Sequence, residues 1–246
     1  MRDIEPTIEE WEASIGFLTA VGQKCDDTRQ EFVLLSDILG VSMLVETING
    51  AEEGTESTVL GPFHMTESPA ANSATPSLGT GRPCAVSGRV LTADATPLQG
   101  AELDVWQCSE DGFYDVQQPA GNGRGHFRTD EHGRYWFRTV VPSHYPIPTD
   151  GPVDRLLEAT GRQAPLSARP HPLIAGSEHH RPITTHAFVA GSPYVDSDAV
   201  FAVKRGLITD FTESHDEQDA ERFGVTAPFI QARFDIVLAP VAKATR

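Results

Sequence analysis

The chain has 246 residues, 39% hydrophobic and 22% charged, the composition of an ordinary soluble domain rather than of a disordered polymer. Its net charge of −16 argues against a nucleic-acid surface or an anionic membrane as partner. No apolar run approaches a membrane span, and the opening MRDIEPTIEEWEAS has no signal-peptide core.

The first fifty residues predict helices. Thr7 followed by Glu10 is a capping box, and Trp11, Ile15, Leu18 and Val21 then fall on one face. Thr28 with Glu31 repeats the signal. Phe32, Leu35, Ile38, Leu39, Ser42, Val45 and Ile48 form the next stripe, closed by Asn49-Gly50. Two such stripes must pack on each other, on the rest of the chain or on a second subunit. Residues 51–82 are linker-like, rich in Gly, Ser, Thr and Pro, around an apolar island, Val59-Leu60-Gly61-Pro62-Phe63. The island is either a satellite core contact or a pocket wall.

From residue 84 the pattern changes to short strands: CAVSGRVL, AELDVWQC, RYWFRTVV, ITTHAFVAG and FIQARFDIVLA, separated by turns. Strands at this spacing predict a sandwich or barrel. The expected fold is therefore mainly β, an antiparallel β-sandwich over 83–246 preceded by an α-helical and linker segment over 1–82. Cys25, Cys84 and Cys108 are odd in number and scattered, which is neither a disulfide framework nor a zinc spacing. They are expected to be small apolar core residues in a reducing, cytoplasmic compartment.

Two tyrosines stand in unusual settings. Tyr114 follows the strand AELDVWQC just past an Asp-Gly turn, and Tyr145 sits in PSHYPIP among Pro142, Pro146 and Pro148. Proline fixes φ, donates no backbone hydrogen bond and restricts its predecessor, so Tyr145 is neither helical nor in a central strand. Its ring either lids the core or holds its phenol oxygen at a fixed place for chemistry. His171, His179, His180 and His186 lie downstream. Phenolate oxygen suits a hard, highly charged ion and imidazole suits iron, so this donor set points to Fe(III) more than to zinc.

The stretches TESTVLGPFH, ELDVWQCSEDGFYDVQQP, GRYWFRTVVPSHYPIPTDGPV, LLEATGR and RPITTHAFV…PYVDSDAVFAVK resemble the intradiol ring-cleavage dioxygenases, most closely the branch acting on hydroxyquinol. The likeness runs from about residue 5 to residue 212. It implies one non-haem Fe(III) per subunit, held by two tyrosinates and two histidines, and cleavage of an aromatic diol or triol by O2 between vicinal hydroxyls. The first tyrosine matches Tyr114 and the second Tyr145, which in the family leaves the iron and takes a substrate proton. The pocket lining corresponds to Leu34, Asp37, Val59, Leu60, Gly61, Pro62, Phe63, Ile147, Pro148 and Val200, which makes the island a pocket wall. Asp37 suits a third substrate hydroxyl, favouring benzene-1,2,4-triol over catechol or a chlorocatechol; the bland alternative is an exposed helix charge. A homodimer is also implied, with altered geometry because a helical pairing stretch is missing at the N-terminus.

The sequence departs from the family at the histidines. The family carries Arg-Pro-x-His-x-His-Phe, with both imidazoles on one side of a strand. Here the chain reads LSARPHPLIAG. Counting forward from Tyr145 puts Arg169 and His171 on the two positions; counting back from Thr184-Thr185-His186 puts Pro170 and Pro172 there. His171 survives as the metal ligand, among prolines that are poor company for a central strand. Three readings follow. His179 or His180 completes the shell, or iron binding is poor and the protein inactive, or two compensating frame shifts have scrambled a window between matching flanks. Arg169 takes the place of the family's arginine, which stabilises negative charge on the substrate. His186 is read as structural.

Overall fold

A computed structural model describes residues 3–27, 29–51, 53–60, 81–109, 111, 114, 123–162, 164–166 and 172–241. Helix α1 (Ile8–Lys24) starts as predicted: the Glu10 N–H donates to Thr7 Oγ1 at 3.1 Å and the Thr7 N–H to Glu10 Oε2 at 2.7 Å. The second stripe is not one helix. It breaks at Gly40, which takes φ +74°, into α2 (Glu31–Ile38) and α3 (Val41–Asn49). Glu31, expected to close a second capping box, is instead fully buried. It accepts from Arg29 Nε at 2.8 Å and from the Val153 N–H at 3.4 Å, while Thr28 lies outside the described residues.

Strand β1 (Pro83–Thr92) is the spine of the first sheet. On one edge it pairs antiparallel with β4 (Arg134–Val140). On the other its first half runs parallel to β12 (Phe229–Arg233) and its second half parallel to β13 (Ile236–Leu238), and β11 (Phe211–Ser214) extends the sheet beyond β12. The sandwich is thus antiparallel except along this edge of β1. The run 229–239, read as one strand, kinks because Phe234 and Asp235 cross β1 at Gly88. The Phe234 N–H donates to Ser87 O and Asp235 Oδ1 takes the Arg89 N–H, each at 2.9 Å. A Cβ on Gly88 would lie 1.9 Å from Phe234 O, so only glycine fits. Tyr135 Oη donates to that same carbonyl, and burial, helped by Asp235, drives its pKa far above the usual phenol value. This tyrosine is structural.

The second sheet has the order β3-β2-β7-β8, built from β3 (Arg124–Arg128), β2 (Glu102–Trp106), β7 (Pro172–Ser177) and β8 (His180–His186). The inner faces of the two sheets share one core, with Val86, Phe137, Leu103, Val105, Phe127, Leu173 and Ile236 all buried. Helix α5 (Glu217–Phe223) covers the outer face of the first sheet through Ala85, Ala220, Phe223 and Phe229.

Residues 55–58, read as linker, are lashed to both sheets. The Thr55 N–H donates to Val237 O at 2.9 Å, the Thr58 N–H to Thr184 O at 2.9 Å, and Thr185 Oγ1 to Glu56 O at 2.8 Å. Cys84 and Cys108 are buried as expected, burial pushing the Cys84 thiol up to about 12, whereas Cys25 is half-buried. Among the described residues no helix is long and apolar enough to cross a membrane. The helical stripes are only partly covered. Val21, Leu35, Ile38 and Met43 are buried, but Trp11, Ile15, Leu18, Phe32, Val45 and Ile48 stay 44–72% exposed.

Candidate active site

After β2 the chain returns Tyr114 against Trp106 and Cys108, forming a small apolar cluster that Ile174 of β7 and Tyr145 join. Tyr114 is 2% exposed and Tyr145 is half-buried. The prolines do keep Tyr145 out of both main sheets. With Pro146 it forms a two-residue strand β5 (Tyr145–Pro146) against β6 (Pro165–Leu166), and the next N–H, from Ile147, donates to Ala164 O at 3.1 Å. The two rings meet edge to face at 85°, centroids 5.7 Å apart, and bring their phenol oxygens to 3.0 Å. Two oxygens held at right angles on one cation, each roughly 2.0–2.2 Å away, are themselves about 3 Å apart. The pair therefore matches both a hydrogen bond and a cis ligand pair.

Residues expected to line a pocket lie in the core that Tyr145 packs against. Val59, Ile147 and Val200 are buried in one apolar cluster against which Leu34 and Tyr145 also pack. Asp37 follows Leu34 by three residues on α2, so both occupy one side of the helix. Leu60 and Pro148 are exposed at the rim. Gly61, Pro62 and Phe63 lie outside the described residues.

The imidazole half of the site is different. Strand β7 begins at Pro172 and runs centrally between β2 and β8, contrary to the expectation that prolines spoil a central strand; a first strand residue can dispense with its N–H. Ile174 packs with the phenols, whereas Leu173 and Ala175 enter the main core. Side chains alternate along a strand, so the even-numbered positions of β7 belong to the phenol side. The ladder pairs 174 with Thr184 and 172 with His186. Cross-strand partners share a face, which places His186 on that side too. It is 1% exposed and stacked on Phe188 at 5.6 Å. His186, read from sequence as structural, is thus buried and stacked on a neighbouring ring while sharing its strand face with Thr184 and, across the ladder, position 172.

His179 and His180 go elsewhere. His180 pairs with Ser177, its Nδ1 2.7 Å from Ser177 Oγ, five residues along from position 172. At about 3.3 Å per residue that is roughly 16 Å. The hairpin tip is tied to the C-terminal strand, the Arg181 N–H donating to Ala239 O and the Val241 N–H to His179 O. His179 and His180 therefore stand at the hairpin tip, at the far end of β7 from Pro172. Arg169 and His171 lie outside the described residues. Among the described residues no group of three or more His, Cys, Asp or Glu could hold a metal. The phenol pair fits a hard cation; among the described residues no imidazole pair accompanies it, and His171 lies outside them.

Comparison with known proteins agrees with this frame. The family described as Dioxygenase matches residues 59–240, and Catechol dioxygenase N terminus matches residues 1–56. The chain is 48% identical to a hydroxyquinol 1,2-dioxygenase of Rhizobium sp. (strain MTP-10005), over 97% of this chain and 84% of that protein. It is 43% identical to a hydroxyquinol 1,2-dioxygenase of Rhodococcus opacus, over 98% and 83%. Among solved structures it is similar to hydroxyquinol 1,2-dioxygenase from Pseudomonas putida DLL-E4, with a TM-score of 0.90 and 42% identity over 98% of this chain and 86% of that one.

Proposed function

The chain belongs to the intradiol ring-cleavage dioxygenases, and on that premise we propose that it opens the ring of benzene-1,2,4-triol with O2 between vicinal hydroxyls. Both oxygen atoms enter the product, 3-hydroxy-cis,cis-muconate, the enol form of maleylacetate. The observation that carries this reading is the pair of phenol oxygens 3.0 Å apart beside a buried apolar wall. The residues that would hold a non-haem ferric ion, one per subunit, are Tyr114, Tyr145 and His171. When bound, that ion supplies the Lewis acidity that activates an aromatic diol toward O2.

The two phenols have unequal roles because they have unequal cover. Tyr114 is packed behind by Trp106 and Cys108 and has no room to leave. Tyr145 is half-buried in a two-residue ribbon on the pocket side, so its Oη is the one that can detach and take a proton from the arriving diol. Arg169 offsets negative charge that develops on the substrate. Asp37 accepts a hydrogen bond from the third hydroxyl. Replacing Asp37 by Ala should then lower kcat/KM for the triol about 10–100-fold, the worth of one hydrogen bond to a charged group, and leave catechol turnover unchanged. Oxygen uptake with benzene-1,2,4-triol, catechol and a chlorocatechol measures this directly. A wild-type preference for catechol would overturn the substrate, and no uptake by the iron-loaded protein with any of them would overturn the activity.

We infer a homodimer through the helical segment. Trp11, Ile15, Leu18, Phe32, Val45 and Ile48 form more exposed apolar surface than a lone domain of this size keeps without a partner. Sedimentation should give about twice the chain mass of 26.7 kDa, and Val45→Asp with Ile48→Asp should return the single-chain mass.

A further inference from the structure

We propose that Arg162 and Phe201 form a clamp that positions two segments of the pocket wall and so governs which diols fit, an inference that rests on the pocket reading above. Both residues lie in stretches, LLEATGR and PYVDSDAVFAVK, whose residues the chemistry otherwise leaves unused apart from Val200.

Helix α4 (Pro152–Ala159) ends in Thr160 and Gly161, the latter at φ +67°, and the reversal sends Arg162 back toward α2. Arg162 Nη1 donates to Ile38 O at 2.5 Å and Nη2 donates to Ala199 O at 2.8 Å. Ile38 is the last residue of α2, where a cation is favoured because helix carbonyls lack partners and carry the negative end of the dipole. The same guanidinium lies over the Phe201 ring, 4.5 Å from its centroid. Phe201 is held in the left-handed region at φ +56°, an uncommon conformation for a bulky residue that persists only where its surroundings impose it. The Phe201 N–H donates to Asp198 O at 3.2 Å and the Ala202 N–H to Asp198 Oδ2 at 3.0 Å. The ring also lies against Gly40, where a Cβ would meet its Cδ2 at 3.3 Å.

The geometry has one consequence for the pocket. Asp37 immediately precedes Ile38, and Val200 stands between Ala199 and Phe201. One planar fork holding both carbonyls therefore fixes the spacing between the carboxylate of α2 and the apolar wall of the 198–202 turn. Lysine keeps the charge but has no fork to bridge two carbonyls, so it separates a positioning role from a merely electrostatic one.

The test compares anaerobic Kd values of iron-loaded protein for the triol and for catechol in wild type, Arg162→Lys, Phe201→Leu and Val200→Ala. Hydrogen exchange is followed at residues 37–41 and 199–203. Arg162→Lys should cut the preference for the triol roughly tenfold and speed exchange in those two segments, with β1 and β4 amides unchanged. Phe201→Leu, which keeps both hydrogen bonds, should give a smaller change in the same direction. If Val200→Ala alters binding while Arg162→Lys and Phe201→Leu leave both preference and local exchange at wild-type values, the clamp is wrong and the pocket stands. If exchange rises everywhere, the arginine is structural and the proposal fails. If Val200→Ala changes neither Kd, the pocket reading itself is what fails. Should Arg162→Lys not fold, the Phe201→Leu result decides alone by the same criteria.

Discussion

Tyr114→Phe and Tyr145→Phe should each remove a visible absorption band from the iron-loaded protein, and neither should alter the melting temperature of the iron-free protein appreciably. A free phenol ionises near pH 10, so at neutral pH an unliganded tyrosine gives no such band; a bound trivalent ion stabilises the phenolate and creates it. Phenylalanine keeps each ring, so the edge-to-face packing at 85° and the cluster with Trp106, Cys108 and Ile174 survive while only the oxygen is lost. On the roles proposed for them, the two variants should differ in kind. Tyr114→Phe removes a ligand that cannot be replaced from its buried position, and iron affinity should fall by more than the roughly 10–100-fold typical of outer-sphere partners. Tyr145→Phe removes the oxygen that accepts the substrate proton, and kcat should fall about 10²–10⁴-fold, the usual worth of a positioned acid–base group. Absorption titrated with iron gives the first number and oxygen uptake gives the second. A visible spectrum that neither substitution changes in position or intensity would mean the phenol pair is a hydrogen bond and nothing more.

What the sequence disclosed was governed by how local the cause was. The Thr7–Glu10 capping box is settled within one turn of helix, and it forms as read. The prolines around Tyr145 act on their immediate neighbours, and they do exclude it from the main sheets. Strands β1, β2 and β4 alternate plainly enough to be found. The failures share distant causes. The break at Gly40 depends on a ring 161 positions away, the kink at Phe234 on the crossing of β1 at Gly88, and the ordering of 55–58 on carbonyls of β8 and β13. Arg162 bonds to carbonyls 124 and 37 residues away, contacts that the stretch LLEATGR gives no local sign of. Strand β7 was obscured for a different reason. The prolines on either side of His171 were read as poor company for a central strand, whereas Pro172 is the first residue of one, a place where proline is tolerated.

That strand carries the last expectation. Placing histidine at position 172 should tighten iron binding, by about 10–100-fold if the new imidazole joins the two phenols. Of the two counts that could locate the missing ligands, the one running back from Thr184-Thr185-His186 puts them at 170 and 172. The ladder agrees with it at 172, which pairs with His186 and has the parity of Ile174, the β7 residue that packs on the phenols. As the sequence stands, that position holds proline, which has no donor for a metal. The proposed shell of Tyr114, Tyr145 and His171 is one ligand short of the four the resemblance implies, and His171, of opposite parity, can join it only where the regular strand does not extend to it. Pro172→His costs the strand little, because histidine tolerates extended backbone and restores an N–H at its first residue. Pro170→His with Pro172→His should bind more tightly still and deepen the visible band on triol-free protein. Iron titration by absorption, with His171→Ala alongside, separates the cases. If His171→Ala abolishes binding and Pro172→His adds nothing, the ligand face of this strand is the odd-numbered one, and the parity argument drawn from Ile174 is wrong.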